Sequence, residues 1–151
     1  MDHAYKACEL FAGGLNCAQA VFAAFSDVTG MDYDLALRLS SSFGGGMGRM
    51  REVCGTVSGM FMAAGLAYST KEDNKAEQYK IVQELAAKFK EKNGSIICRE
   101  LLAGIESSTS PTPSERTETY YKKRPCIELV GDSVEIFEEY LKEKKPQKTS
   151  L

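Results

Sequence analysis

The chain of 151 residues holds one histidine, His3. Ser-His-Asp and Cys-His catalysis therefore have almost no material to work with, because both need an imidazole beside the nucleophile. Close cysteine pairs are missing as well. No Cys-x-x-Cys occurs, and the shortest spacing within the set Cys17, Cys54, Cys98 and Cys126 is the 28 residues from Cys98 to Cys126. That excludes a zinc ribbon, a thioredoxin-like motif, the common ferredoxin run and the Cys-x-x-Cys-His attachment of a c-type haem. Strand patterning is weak: no segment alternates apolar and polar residues for long, and β-branched residues do not cluster. The longest apolar run, Gly59 to Tyr68, falls short of the roughly 20 residues that cross a bilayer. Asp2, His3, Lys6 and Glu9 interrupt any leader-like stretch at the N-terminus. No excess of either charge exists: the formal net charge is -2 and the pI about 5.5, which makes no general case for nucleic acid or an anionic membrane as a partner. These absences describe a cytoplasmic chain. Its five cysteines are then expected as reduced thiols, metal ligands or catalytic groups, and the odd count speaks against a purely disulfide framework.

What is present is helical periodicity. Hydrophobic residues at 43% and charged residues at 26% suit one globular domain with a proper core. The expected architecture is all-α, a single-domain helical bundle over residues 1–141 with a buried Gly/Ala-rich central helix, followed by a basic, frayed tail at 142–151. A first helix carries Tyr5, Cys8 and Phe11 on one face and stops at Gly13-Gly14. Asn16 caps a second helix with Cys17 at its first position and Ala18, Val21, Phe22 and Phe25 inward, ending near Gly30. Asp32 or Asp34 starts the next, with Leu35, Ala36 and Leu39 facing the core. The stretch Cys54 to Leu66 is apolar nearly all round, and Gly55, Ser58, Gly59 and Ala63 permit close approach of another backbone. Thr70 to Asp73 starts a helix with Tyr79, Val82, Leu85, Ala86 and Phe89 at helical spacing, closed by Asn93-Gly94. Ser95 caps a short helix with Cys98 in its first turn, and Gly104 ends it. Ser107 to Thr119 is a loop. Pro125 suits the first position of a last helix, with Cys126 just inside and Leu129, Val130, Ile136, Phe137 and Tyr140 packed on the core.

Four cysteines thus fall where helices begin. A thiol there faces unpaired N–H groups and the positive end of the helix dipole, and both favour the thiolate that attacks disulfides and binds metals. The spacing equally allows inert buried packing, since cysteine is a good small hydrophobe. Cys8, on an apolar helix face, belongs with the core.

Gly44-Gly45-Gly46-Met47-Gly48 cannot be a stable helix interior, at about 1 kcal/mol per glycine relative to alanine. It is either a tight connector or a backbone surface that approaches a cofactor. It lacks the Gly-Lys-Ser/Thr ending of a P-loop and follows no convincing strand, so no nucleotide is expected. Arg49 and Arg51 can offset thiolate or cluster charge, or simply stand on the surface. His3, near a chain end, is expected to be incidental. Met47, Met50, Met60 and Met62 suit flexible packing better than a copper site.

Together these residues resemble the C-GCAxxG-C-C family of redox-active proteins. The resemblance rests on Gly14 to Val21, on Phe43 to Arg49, on Cys54-Gly55-Thr56-Val57-Ser58-Gly59, on Gly94 to Leu102 and on Cys126, in the same order along nearly the whole chain. The family's four cysteines fall on Cys17, Cys54, Cys98 and Cys126; Cys8 lies outside the pattern, and Thr56 stands where alanine is more usual. The resemblance implies a small helical protein of anaerobic bacteria and archaea, related to domains found beside cytochrome modules, with redox function in a general sense.

Three functions follow as expectations. In the first, the four thiolates hold an iron–sulfur cluster, or less favourably zinc, with Gly44, Gly45, Gly46 and Gly55 bringing backbone N–H groups to the cofactor and a redox partner protein exchanging electrons. In the second, a cysteine pair cycles between dithiol and disulfide, with at least one thiol below the free value of about 8.5. In the third, the chain is a helical interaction module, a homodimer through the small residues of its central helix, and the cysteines only pack.

Overall fold

Ten helical segments and a short 3-10 turn follow one another among residues 2–105 and 108–146, which the computed structural model describes. The chain is all-α. The nearest thing to a strand among the described residues is an isolated antiparallel bridge between Val53 and Ile97. The segments are α1 (His3–Ala12), α2 (Cys17–Ala24), α3 (Ser26–Thr29), α4 (Tyr33–Ser40), α5 (Gly44–Met47), α6 (Gly55–Tyr68), α7 (Lys75–Asn93), α8 (Cys98–Leu101), α9 (Glu118–Lys123) and α10 (Cys126–Glu143).

The core forms where α6 is enclosed. Nine of its residues are buried, from Gly55 through Met60 and on to Ala63, Ala64 and Ala67. Small residues decide its distance from α2: a β-carbon on Gly59 would stand 2.8 Å from the Ala18 carbonyl oxygen and 3.1 Å from Val21. The small-residue face expected to meet a second subunit is therefore occupied within the chain. Around this pair Phe22, Phe25, Leu85, Phe89, Val130, Val134 and Phe137 fill the interior. The edge of Phe25 meets the Phe137 ring at 4.9 Å between centroids, a favourable aromatic geometry.

Local chemistry sets the boundaries. Asn16 and Gln19 form a reciprocal capping box at the start of α2. Asp2 caps α1 through the Tyr5 N–H, and Asp32 caps α4 through the Leu35 N–H. Gly30 and Gly94 close α3 and α7 in the left-handed conformation. The second helix stops at Ala24 rather than near Gly30, and α3 is a separate turn.

Some inward faces differ from expectation. Leu35 and Leu39 are half exposed, because α4 lies on α2 through Ala36 and Ser40, one position round the helix. Tyr5 and Tyr79 also face solvent; α1 buries His3, Ala7 and Phe11 at four-residue spacing instead. Helix α7 begins at Lys75, with the Asp73 carboxylate accepting from the Lys75 N–H. The α8 N-cap is Ile97, while the Ser95 hydroxyl accepts the Ile97 N–H two residues on. Pro125 takes the N-cap of α10 rather than its first turn, and Thr117 caps an additional helix, α9.

His3 is the largest departure. It is 9% exposed, with Nδ1 2.7 Å from Glu138 Oε1 and Nε2 2.9 Å from Asp27 Oδ2. Its ring stacks on Phe25 at 4.5 Å, so it ties α1 to α3 and α10. At the other end, α10 continues to Glu143 and the Lys144 ammonium reaches Glu84 at 3.1 Å. Gln147–Leu151, the end of the expected tail, lie outside the described residues.

Candidate functional site

Cys17, Cys98 and Cys126 are the first residues of α2, α8 and α10, and Cys54 is the N-cap of α6. All four line one cavity of about 280 Å³.

Two backbone devices bring the thiols together. The first is the contact of α6 with α2: a β-carbon on Gly55 would overlap the Cys17 sulfur and lie 2.9 Å from the Phe43 carbonyl oxygen. Only glycine leaves Cys17 its place there. The second is the Val53–Ile97 bridge. The Cys54 N–H donates to the Ile96 carbonyl at 2.8 Å and the Cys98 N–H to the Glu52 carbonyl at 2.6 Å. Successive side chains alternate across such a ladder, so Cys54 and Cys98 project to the side opposite Val53 and Ile97. Cys8 is apart from this group; it packs between α1 and α10, its sulfur 3.7 Å from the Ile127 carbonyl oxygen.

The glycine segment forms another wall. Helix α5 is one turn broken by Gly45 and Gly46, both left-handed. Met47, Gly48, Arg49 and Arg51 follow with positive φ. A left-handed residue with a side chain costs about 1–2 kcal/mol, and three in five positions persist only where the surroundings fix them. Here Gly44, Gly45 and Gly46 accept through their carbonyls from the N–H groups of Arg49, Arg51 and Glu52. Gly44, Gly45, Gly46 and Gly55 all line the cavity. Gly46 is held hardest: a β-carbon there would meet Cys98 Cβ at 2.7 Å and the Arg51 Cα at 2.8 Å.

This turn points Arg51 inward. The side chain expected at the surface is 5% exposed, with Nη1 3.8 Å from the Cys98 sulfur and Nε donating to the Ser108 carbonyl at 3.1 Å. Arg49 donates to the carbonyls of Thr112 and Ser108. Arg116 donates to those of Phe11 and Leu15 and lies over the Phe11 ring. With Arg124, four guanidiniums line the cavity, and among the described residues no Asp, Glu, Lys or His does. Sequence reasoning offered Arg49 and Arg51 as counter-charges to the thiols but missed Arg116 and Arg124. The available signal was adjacency, for Arg51 stands three residues before Cys54 and Arg124 two before Cys126.

Three of the four thiols, those of Cys17, Cys54 and Cys126, are shifted towards the protonated form. Burial pushes the Cys17 thiol up, more than N–H groups from Gly45, Ala18 and its own backbone pull it down. Burial likewise raises Cys54 far above its ordinary value, aided by the neighbouring Cys17 and opposed by its 3.2 Å contact with the Thr56 hydroxyl. Cys126 is pushed up to about 11 by burial and then by Cys17, with Arg124 and Arg51 opposing. At these three the helix-start argument for thiolates is opposed: desolvation outweighs the dipole and the arginines. A testable consequence follows for metal-free protein. Labelling of Cys126 by iodoacetamide, read by mass spectrometry, is expected to rise about tenfold per pH unit and level off only near pH 11. A plateau near ~8.5, the free-thiol value, would contradict it. Because the folded value lies above the unfolded one, the stability Cys126 contributes is complete below about pH 8.5 and is lost as pH climbs towards about 11.

The model of the family described as "Putative redox-active protein (C_GCAxxG_C_C)" matches residues 15–140. The chain belongs to the C_GCAxxG_C_C family. It is a redox-active protein on that ground, and the match spans all four cavity cysteines and leaves out Cys8. An uncharacterized protein of Archaeoglobus fulgidus is 29% identical over 161 residues, covering 96% of this chain and 99% of that one. No solved structure matches. For the C_GCAxxG_C_C chain the cavity supplies a physical reason for the motif: Cys17 opens α2, and the small residues after Cys54 let α6 close on it. No helix among the described residues is long and apolar enough to cross a membrane.

Proposed function

We propose that Cys17, Cys54, Cys98 and Cys126 together hold an iron–sulfur cluster, and that the protein transfers electrons through it. The observation that carries this reading is that four thiols, remote in sequence, line one cavity with no other metal-ligating side chain among the described lining residues. Four cysteines are the ligand complement of a [2Fe–2S] or [4Fe–4S] cluster. Among the described residues no group of three or more Cys, His, Asp or Glu side chains is already arranged to hold a metal ion, so the reading rests on the shared cavity and the ligand number. When bound, a cluster supplies one-electron chemistry over a potential range set by its surroundings.

The chain's own residues would do the rest. Each raised thiol gives up its proton on ligation, so loading releases protons and is favoured by higher pH. Arg51, beside the Cys98 sulfur, and Arg124, beside Cys126, offset the negative charge of four thiolates. The N–H groups of Gly45 and Ala18 already lower the Cys17 thiol and would stabilise its thiolate further. Thr56 offers its hydroxyl to Cys54. Anaerobic reconstitution with ferrous iron and sulfide tests the reading. The expected result is a visible charge-transfer band that bleaches on reduction with dithionite. A colourless protein with all thiols still free would sink it.

A metal-free dithiol reading remains the second choice. It needs an attacking thiolate near neutral pH, and burial works against one at Cys17, Cys54 and Cys126.

A further inference from the structure

One wall of the cysteine cavity is a strap of chain that leads towards α9. Pro111, Pro113, Ser114 and Arg116 line the cavity, yet every residue of 108–115 is exposed. The strap therefore covers the cavity with a single thickness of chain. It has no helix or strand of its own, and Pro111 and Pro113 are its only apolar residues. Apolar burial, the main force that holds the helices together, contributes little here. What fastens the strap is a set of arginine contacts to backbone carbonyls. Arg49 donates to the carbonyls of Ser108 and Thr112, and Arg51 donates to that of Ser108 at 3.1 Å. At the far end Arg116 donates to the carbonyls of Phe11 and Leu15 and lies 4.2 Å over the Phe11 ring. Within the strap the Ser110 and Thr112 N–H groups donate only to the Ser108 and Ser110 hydroxyls. Arg49 is aimed for this reach at a cost. Its backbone is left-handed, and Gly45 leaves room for its stem, since a β-carbon there would stand 2.7 Å from Arg49 Cγ. A strained residue that grips an otherwise loose segment at two points has the form of a fastening.

We propose that residues 108–116 are an openable strap over the cysteine cavity and that Arg49 is its latch. A segment with few buried apolar contacts and exposed hydrogen bonds opens at a smaller free energy than the core, so the strap lifts while the helices stay packed. Closed, it shields the cavity cysteines from reagents in solution. Open, it admits them. Cys8, between α1 and α10, stands outside this control. Opening needs no cluster, and it sets how fast the cavity exchanges whatever it holds.

The experiment is the rate of iodoacetamide labelling at each cysteine of the metal-free protein, read by mass spectrometry at one fixed pH. Arg49→Met is expected to raise the rates at Cys17 and Cys126 about tenfold, the effect of losing its charge-assisted contacts to the strap. Cys8 is expected to keep its wild-type rate. Removing a cation by itself disfavours a nearby thiolate and slows labelling, so a rise reports opening and not charge. Arg49→Lys, which keeps the charge but loses the two-point fork, is expected to fall between wild type and Arg49→Met. Unchanged rates at Cys17 and Cys126 in Arg49→Met would overturn the proposal. So would an equal rise at Cys8, because Arg49 would then hold the whole fold and not the strap. Neither readout depends on iron, so failure here and failure of the cluster reading are separable.

Discussion

Cys54→Ser is expected to remove bound iron and sulfide to more than about tenfold below wild type, since disturbing even an outer-shell partner of a metal ligand costs about 10–100-fold in affinity. The fold should survive. Serine is nearly isosteric, and the position needs only an N-cap residue that serine suits better than cysteine. The contrast is Cys8→Ser. That thiol lies outside the cavity between α1 and α10, and its replacement should leave iron content untouched. Cys17→Ser and Cys126→Ser belong with Cys54→Ser. Equal iron in the Cys54 and Cys8 variants would contradict the assignment of ligands.

Gly46→Ala is expected to destabilise the protein by about 3 kcal/mol, combining a left-handed residue with a side chain and an overpacked contact. The neighbours that its β-carbon would strike at 2.7–2.8 Å are the Cys98 Cβ, the Glu52 N–H nitrogen and the Arg51 Cα, so relief requires backbone movement. For a chain of this size the melting temperature should fall by roughly 6–12 °C. Gly104→Ala is the comparison. Gly104 is also left-handed, but open space surrounds it, so backbone strain alone of about 1 kcal/mol is expected. Equal melting temperatures in the two variants would show that the close approach of the glycine turn to Cys98 is not needed.

How far the sequence foretold this differs from element to element. The helix starts at Cys17, Cys98 and Cys126 were legible because short-range chemistry marks them: Asn16 with Gln19, Gly94 before the short helix, Pro125 before the last. The buried α6 was legible because its residues are apolar on every face. Which cysteines meet was not, since that rests on one bridge between residues 53 and 97 and on a helix contact through Gly55. No pattern within a window of ten residues carries such long-range pairings. Arg51 was hidden for a related reason: a charged residue points inward only when a strained turn aims it and a carbonyl and a sulfur receive it. His3 needed Asp27 and Glu138, the latter 135 residues away. Thiol acidity ran opposite to the helix-dipole argument because that argument counts favourable dipoles and leaves out desolvation.

The most direct measurement is the iron, acid-labile sulfide and zinc content of the protein purified without oxygen. The expected result is iron and sulfide in equal, stoichiometric amounts and no zinc. Protein that carries neither iron nor sulfide, or zinc alone, would contradict it.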